Sequence, residues 1–339
     1  MAEIDAHAKE KIMEFLAEQV GRESAEAGCL YIVGTPIGNL GDLSPRSISI
    51  LASCSRIAAE DTRRSGQLLH MLGISKPFIS YHEHNIRSRG PEIVALLQDG
   101  ESVALVSDAG MPAISDPGED LVRLCRDAGL PVRVIPGPNA AVSALAVSGM
   151  PSRRFSFFGF LPAHGKPRRE ALDDLVSACS SSLRMNAGDA SFILYEAPHR
   201  LRKTLEDLAA RGLGAYRLTI SRELTKRFED YHGGTVSELL TAIAETELRG
   251  ELVLILAPPL GGAAVETLAP ETEGEPLTLD VAEIDSDAWW NAAIDERLAK
   301  GERVSAAVRE LLSAERPAGV EALTRNELYA RVMERRDRV

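Results

Sequence analysis

Short apolar runs alternate with longer amphipathic segments between residues 29 and 150. The apolar runs hold four to six residues and are mostly closed by Gly or Pro, which is typical of strands buried on both faces of a sheet. The segments between them have the period of crossover helices. This pattern predicts an α/β fold with a doubly wound parallel sheet, with strands at 29–34, 56–60, 78–81, 102–107 and 131–135 and helices at 44–53, 63–72, 87–98 and 116–128.

The rhythm changes after Met150, where apolar runs become less evenly spaced. These runs predict a second α/β domain with a mixed sheet. A Ser-rich stretch between residues 171 and 190 is interpreted as a loop insertion. The predicted strands of the second domain lie at 155–162, 191–196, 217–223 and 251–257.

The two ends of the chain have a different pattern. The first 28 residues form a predicted amphipathic helix with Ile12, Phe15, Leu16 and Val20 on one face, and Thr324 is the predicted N-cap of the last helix. The predicted organisation is a helical extension at 1–28, α/β domains at 29–150 and 151–258, an acidic linker at 259–290, and a helical C-terminal module at 291–339 with helices at 292–300, 303–314, 319–322 and 324–335.

The charge of the chain is unevenly distributed. Its net charge is −12, which by itself disfavours nucleic-acid binding. Residues 257–290, however, contain eight acidic residues and no Lys or Arg, so the rest of the chain carries −12 + 8 = −4. The total charge therefore says little about any one face of the molecule.

Composition also indicates the compartment. The charged N-terminus lacks the apolar centre of a signal peptide, and no apolar run approaches the roughly 20 residues that span a membrane. Cys29, Cys54, Cys125 and Cys179 are widely spaced in apolar segments, which is typical of reduced core residues. We expect a cytoplasmic protein.

The segment from Ser102 to Gly129 carries the strongest signal for a ligand. An apolar strand ends at Ser107, a loop of small residues follows, and Asp116 with Pro117 predicts the start of a helix. A loop between a strand and a helix N-terminus is where open α/β sheets bind ligands. The loop lacks the Lys of a phosphate loop and the spacing of a dinucleotide fingerprint, so it predicts a ligand of another kind.

Four more loops follow predicted strands, at 34–46, 58–66, 81–85 and 136–145. In the third of these, His82 and His84 could ligate a metal or move a proton. No cluster of partner ligands is evident for a metal, so substrate contact or proton transfer is the preferred interpretation.

Several of these loops resemble one known family. The blocks TPIGNLGDLSPR, AAEDTR, LVSDAGMPAISDPG and IPGPNAAVSAL resemble those of the ribosomal RNA small subunit methyltransferase I family, within the tetrapyrrole (class III) methylase superfamily. FFGFLP, YEAPHR, SRELTKRFE and RGELVLIL fit the same family, as does NELYARVM in the tail. The resemblance covers residues 29–258 strongly and 291–335 weakly. The N-terminal extension, the Ser-rich stretch and the acidic linker depart from it.

The resemblance implies a reaction and its partners. The expected methyl donor is S-adenosylmethionine, and the expected acceptor is the 2′-hydroxyl of a decoding-centre cytidine in 16S rRNA, within the small ribosomal subunit. A homodimer is also implied. On this interpretation the cofactor site is lined by Pro36, Ser107, Asp108, Ala109, Gly110, Ile114, Ser115, Gly137, Pro138, Asn139, Ala140, Ala141, Tyr195, Glu196, Ala197, Leu224 and Gly250.

Catalysis of this reaction depends mainly on positioning, with help from a base that takes the hydroxyl proton. Asp61 and Arg63 are hypothesised to organise the acceptor side of the cleft. RNA contact is expected from Arg153, Arg154, Lys166, Arg168, Arg169, Arg200, Arg202, Lys203, Lys226 and Arg227, and from the C-terminal helices. The candidates for the base are Glu60, Asp61, His82, Glu83 and His84.

Three other functions fit the sequence less well. A methylase of a tetrapyrrole or other small molecule would share the fold but would not need the AAEDTR and YHEHN blocks or the C-terminal module. A nicotinamide-dependent oxidoreductase would need a glycine fingerprint after the first strand, which is missing. A non-catalytic RNA-binding protein would need more stacking aromatics than the 5% present.

Overall fold

The computed structural model describes residues 4–184, 190–243, 249–259, 286–299, 304–313 and 323–336. The chain divides into two compact units at residue 268. The first unit contains both predicted sheets and the second contains the C-terminal helices.

The first sheet is entirely parallel, with the strand order β3-β2-β4-β1-β5. The central strands β1 and β4 are buried along their whole length, because helices cover both faces. The predicted α/β fold class is confirmed, and its elements are β1 Leu30–Val33, α2 Pro45–Ser53, β2 Arg56–Ala59, α3 Thr62–Met71, β3 Phe78–Ser80, α4 Ile86–Gln98, β4 Val103–Val106, α5 Glu119–Asp127, β5 Val132–Ile135 and α6 Ala140–Val147.

The helices that follow the two central strands lie on opposite faces of the first sheet. Ile50 of α2 and Leu69 of α3 pack in one apolar cluster, whereas Ile93 of α4 and Leu121 of α5 pack in the other. The neighbouring strands β1 and β4 are therefore followed by helices on opposite faces. Such a reversal opens a crevice at the carboxyl ends of the two strands, where open α/β sheets bind ligands.

The second sheet is mixed, with the order β6-β7-β10-β8-β9. Only the β6–β7 pair is parallel among its pairings. The edge strand β9 was not predicted, because its sequence DYHGGT has neither an apolar run nor alternation. The elements of this part are β6 Arg154–Phe160, α7 Gly165–Arg184, β7 Ala190–Glu196, α8 Pro198–Leu208, β8 Arg217–Arg222, β9 Asp230–Thr235, α9 Val236–Ile243 and β10 Leu252–Ala257.

The prediction of a loop over the Ser-rich stretch was wrong, because helix α7 runs through it to Arg184. Leu172, Leu175 and Cys179 recur at helical spacing and are buried against the second sheet. Burial of this apolar stripe outweighs the weak helix preference of the serines. Residues 185–189 lie outside the described part of the chain.

The predicted cap of α5 was also wrong. The helix begins at Glu119, and its N-cap is Gly118, which makes no side-chain cap hydrogen bond. Ala113 and Ser115 adopt left-handed backbone conformations with φ of 67° and 62°. The loop therefore turns twice before the helix starts, and Asp116 lines a cavity instead of capping the helix.

The N-terminal helix α1, Ala6–Gln19, is present as predicted, and Asp5 caps it. None of its residues is buried, so its apolar face is exposed. The segment after it is held to α2, because the backbone N–H groups of Gly21 and Ala25 each donate to a serine of that helix at 2.8 Å.

The second unit is a small helical module. Its described helices are α10 Ser286–Ala299, α11 Val304–Ser313 and α12 Arg325–Arg336. Helix α10 starts inside the segment predicted as a linker. The backbone N–H of Thr324 donates to Glu327 and the N–H of Glu327 donates to the Thr324 hydroxyl, so Thr324 is the N-cap of α12 as predicted. The predicted helix at 319–322 lies outside the described residues. The core of the module consists of Trp290, Ile294, Val308, Leu311, Leu328 and Val332.

Two predictions from composition can be compared with the structure. Cys29, Cys54, Cys125 and Cys179 are free thiols in buried positions, as predicted. Within the described ranges, no helix combines the length and apolar character that crossing a membrane requires.

Candidate active site

The loops after β1 and β4 are bound directly to each other. The backbone N–H of Thr35 donates to the carbonyl of Gly110 at 2.9 Å, and the N–H of Gly110 donates back to Thr35 at 3.1 Å. The Thr35 hydroxyl also donates to the carbonyl of Ser107 at 3.3 Å. These contacts set the position of the loop that the sequence singled out as a ligand loop.

The loops after β1 and β5 meet at two glycines. A Cβ on Gly34 would lie 2.6 Å from the Cα of Gly137, and a Cβ on Gly137 would lie 2.7 Å from the Cα of Gly34. Neither distance is compatible with a side chain unless the backbone moves. Both glycines are therefore needed for the loops to pack around the crevice.

One cavity, called the main cavity below, has a volume of 470 Å³ and is lined by the loops and helix starts that follow the first sheet and by strands β6, β7 and β10 of the second. Eleven predicted cofactor residues line it: Asp108, Ala109, Gly110, Ile114, Ser115, Asn139, Ala140, Tyr195, Glu196, Ala197 and Gly250. The predicted base candidate Glu60 also lines it. The sequence did not predict Ile37, Arg64, Met111, Asp116, Phe160, Pro198, Glu251, Leu252 and Val253 in this site.

A smaller cavity of 250 Å³ adjoins the main one, and Arg64 and Asp108 line both. Its walls come from the loop after β1 and from helix α3. Two predicted cofactor residues, Pro36 and Ser107, lie here instead of in the main cavity. The full lining is Thr35, Pro36, Gly38, Leu40, Arg64, Ser65, Gln67, Leu68, Met71, Ser107 and Asp108.

Four predicted cofactor residues line neither cavity. Gly137 packs against Gly34, and the carbonyl of Pro138 lies behind Gly110. Ala141 and Leu224 belong to a buried cluster that joins the first sheet to the second. These four residues therefore pack close to residues that line the cavities, but they do not line them directly.

Five carboxylate residues line the main cavity, namely Glu60, Asp108, Asp116, Glu196 and Glu251. The first three are close enough to interact electrostatically. Burial is the largest cause that raises the pKa of Glu60, and the charges of Asp116 and Asp108 raise it further. Burial also raises the pKa of Asp116, although a hydrogen bond with Ser107 opposes the shift. Asp108 pairs with Arg64 at 3.0 Å. The cavity therefore combines apolar walls with negative charge, which suits a ligand that is cationic and partly apolar.

Asp61 has a different role from its neighbour Glu60. Its carboxylate accepts hydrogen bonds from the backbone and guanidinium of Arg63, which lower its pKa to about 2. It also caps α3, and its own N–H donates to Asp108 at 3.1 Å. A carboxylate with so low a pKa is a weak proton acceptor near neutral pH. The exposed side chain of Arg63 is paired with Asp61.

His82, Glu83 and His84 are not brought to either cavity. They follow β3, which is the edge strand, and β2 lies between β3 and the crevice. The backbone N–H of His82 donates to the side chain of Asn85, which closes a turn before α4. In the part of the chain that the structure describes, no group of three His, Cys, Asp or Glu side chains is arranged to hold a metal ion.

The end of β7 is held by a buried polar network. Glu196 accepts hydrogen bonds from the Thr204 hydroxyl and from the backbone N–H of Ala197, and it pairs with Arg200 at 3.2 Å. Arg168 donates to Thr204 and Asp207, both at 2.9 Å. Arg168 is thus buried and paired, and the prediction that it contacts RNA was wrong because its guanidinium is inside the protein.

The family profile for Tetrapyrrole (Corrin/Porphyrin) Methylases matches residues 29–240, which is more than half of the chain. The chain belongs to the tetrapyrrole methylase family. The superfamily predicted from the sequence blocks is confirmed, and the match covers Glu60, Asp108 and Asp116. It ends shortly before β10, whose residues complete the wall of the main cavity.

Within the tetrapyrrole methylase family, the similar relatives share one name. A protein of Escherichia coli O157:H7 is 41% identical over 285 residues, covering 80% of this chain and 96% of that protein. One of Xylella fastidiosa is 47% identical over 250 residues, covering 73% and 86%. One of Synechocystis is 46% identical over 231 residues, covering 68% and 79%. Each is named ribosomal RNA small subunit methyltransferase I, so the narrower resemblance is confirmed as well.

Proposed function

We propose that this chain transfers a methyl group from S-adenosylmethionine to the 2′-hydroxyl of a decoding-centre cytidine in 16S rRNA. Family membership confirms the predicted methyltransferase class and its cofactor. The acceptor follows from relatives that cover most of this chain and are named for the small-subunit rRNA. The observation that carries the proposal is a pair of adjoining cavities that share one ion pair, Arg64 with Asp108.

The main cavity fits S-adenosylmethionine. That cofactor, when bound, supplies a methyl group already activated on a positively charged sulfur. Ile37, Leu252 and Val253 offer an apolar wall for an adenine, and the carboxylates of Glu60 and Asp116 offer negative charge for the cationic end. A cavity of 470 Å³ lies within the range of about 300–1,000 Å³ that small-molecule sites occupy.

The smaller cavity is the proposed acceptor side. Its walls carry hydroxyl and amide groups from Thr35, Ser65 and Gln67, which can hydrogen-bond a ribose or a base. Leu40 and Met71 add apolar surface that is exposed to solvent. An acceptor held here lies next to Asp108, at the boundary of the two cavities.

Glu60, which lines the main cavity together with Asp108, is the proposed base that takes the proton of a ribose hydroxyl presented at the boundary of the two cavities. Its raised pKa makes it a better proton acceptor than an ordinary glutamate, because a stronger base is closer to the range in which catalytic groups operate. Asp61 is proposed to hold the start of α3 and, through its N–H, the carboxylate of Asp108. His82 and His84 stay outside this proposal, because neither lines a cavity.

The basic residues predicted to contact RNA differ in their surroundings. Lys166, Arg202 and Lys203 each form an ion pair with an acid one turn away on the same helix. Arg227 instead lies over an aromatic ring. We therefore assign the main RNA contact to the loop that carries Arg227, which is described below.

One experiment separates the possible acceptors. The purified chain is incubated with radiolabelled S-adenosylmethionine and, in parallel, with small ribosomal subunits lacking the modification, with naked 16S rRNA and with a tetrapyrrole precursor. Label in the subunits or the rRNA is the expected result. Label only in the tetrapyrrole would keep the family and the cofactor but overturn the acceptor.

Three further parts of the prediction depend on the ribosomal acceptor: the cytoplasm as location, the assembled small subunit as the form recognised, and a homodimer as the active species. Native mass spectrometry of the purified chain tests the dimer directly. A preference for assembled subunits over naked rRNA in the transfer assay tests the second. A monomer, or equal rates on both acceptors, would contradict them.

A further inference from the structure

The loop between β8 and β9 presents an aromatic side chain to solvent. Phe228 is 64% exposed, and the guanidinium carbon of Arg227 lies 5.5 Å from its ring centroid. The cation lies over one face of the ring, and most of the residue is still exposed to solvent. Isolated exposed apolar residues are common, so exposure alone assigns no role. The residues around Arg227 and Phe228, however, connect this pair to the linings of the two cavities.

The loop is hydrogen-bonded within its own backbone and contains two residues with positive φ. Its backbone is closed by hydrogen bonds from Lys226 to Glu223 and from Glu229 to Lys226, at 3.0 and 3.2 Å. Glu223 and Thr225 adopt left-handed conformations with φ of 52° and 65°. Strained backbone of this kind persists where the surrounding structure enforces it and is concentrated at functional sites. A ring on such a loop loses little freedom when a ligand stacks on it.

One side chain of this loop, Lys226, contacts a lining residue of each cavity. A Cβ on Gly38, which lines the smaller cavity, would lie 2.4 Å from the Cγ of Lys226. The Lys226 ammonium binds Glu223 at 2.8 Å and Glu251, which lines the main cavity, at 3.0 Å. Phe228 lies two residues after Lys226, whose side chain contacts lining residues of both proposed sites.

A second aromatic ring lies on the same hairpin. Tyr231 of β9 is 39% exposed, and its hydroxyl donates to Glu229 at 2.6 Å. An aromatic ring beside an arginine is the recurring surface on which proteins stack unpaired nucleobases. Arg227 adds a positive charge that a phosphate can contact.

We propose that Arg227 and Phe228 form a stacking platform for an unpaired base that flanks the methylated nucleotide. This inference rests on the proposed function, because it takes the RNA in the smaller cavity as given. The exposed ring of Phe228 stacks on the base, and Arg227 contacts the neighbouring phosphate. The platform sets the register of the RNA strand, so that one ribose and not its neighbour enters the cavity.

The test compares Phe228→Ala with Phe228→Tyr and with Phe15→Ala, which removes a similarly exposed ring from α1. Phe228→Ala is expected to raise KM for small subunits about 5- to 150-fold, the range that loss of one stacked base produces. The kcat at saturating subunits and the Kd for S-adenosylmethionine stay near wild type. Phe228→Tyr keeps most of the affinity because a phenol also stacks, and Phe15→Ala behaves as wild type.

Salt dependence separates the two members of the platform. Arg227→Ala should lower the slope of log affinity against log salt by about 0.7, as loss of one phosphate contact to a single strand requires. Phe228→Ala should leave that slope unchanged, because stacking releases no counterions. Affinity for naked 16S rRNA is measured with the same variants, and it should fall in parallel with affinity for subunits.

Four results would overturn the inference. Phe228→Ala equal to wild type would show that nothing stacks on the ring. Equal losses in Phe228→Ala and Phe228→Tyr, with a lower Tm, would show a structural role. A loss seen with subunits but not with naked rRNA would assign the surface to a ribosomal protein. No transfer by the wild-type chain would remove the proposed function itself, and this inference with it.

Discussion

Replacing Glu60 by Gln tests the proposed base with little change in shape. Glutamine keeps the length of the side chain at the end of β2 but cannot accept the hydroxyl proton. Burial and the charges of Asp116 and Asp108 all raise the pKa of Glu60, so the wild-type carboxylate is a stronger base than one in water. General-base assistance is typically worth about 10²–10⁴-fold in rate. Since each tenfold is 1.36 kcal/mol, the barrier should rise by about 3–5 kcal/mol.

The assay is single-turnover methyl transfer to small subunits, with both substrates saturating. Separate titrations give the Kd for S-adenosylmethionine, because Glu60 also contributes negative charge to the cavity. The wild-type rate should rise with pH as Glu60 loses its proton, with a midpoint above the ordinary glutamate value of about 4.3. The Glu60→Gln variant should lack that rise, because the titrating group is gone.

Asp61→Asn is the matched control, since it alters the adjacent carboxylate. Its pKa of about 2 means that it stays charged across the measured range and contributes no pH dependence. We expect a small loss of rate and some loss of stability, because the cap of α3 is weakened. A Glu60→Gln rate within about threefold of wild type, with the pH dependence intact, would refute the assignment of the base.

Two further predictions concern the framework of the site. Gly34→Ala places a Cβ 2.6 Å from the Cα of Gly137 and should lower the free energy of unfolding by about 1–3 kcal/mol. The control is Gly233→Ala, whose Cβ has no neighbour within 4 Å. It should change the free energy of unfolding by less than about 0.5 kcal/mol. Equal urea midpoints for the two variants would contradict this. Arg168→Ala removes the buried guanidinium from Asp207 and Thr204 but leaves Lys203 paired with Asp207 at 2.7 Å, so it should cost about 1–3 kcal/mol, measured by urea unfolding. A loss below 1 kcal/mol would instead place Arg168 with the weak surface pairs.

The first sheet could be predicted from the sequence because its strands are buried on both faces. Ile57 and Leu105, for example, stand in apolar runs that alternate with amphipathic helices, and both are buried as that pattern requires. Strand β9 lacked such a signal, because an exposed edge strand need not be apolar. Helix α7 was hidden for the opposite reason: its serines resemble a loop, and only the spacing of Leu172, Leu175 and Cys179 predicts a buried stripe.

The candidate site was partly predictable for the same physical reason. Residues directly after parallel strands, such as Asp108 and Glu60, must gather at one edge of the sheet, so their positions follow from the strand prediction. Asp116 was assigned to a helix cap because its local sequence fits one equally well. The contribution of Glu251 depends on the approach of the second sheet, which local sequence does not encode. The distance of His82 from the cavities required the strand order.

The proposed reaction of this chain is methylation of a ribose oxygen of 16S rRNA. The most direct measurement is mass spectrometry of nucleosides from 16S rRNA that the chain has methylated in vitro with isotope-labelled S-adenosylmethionine. We expect label in 2′-O-methylcytidine from a single decoding-centre position. Label on a base, in a different nucleoside or in no RNA at all would contradict it.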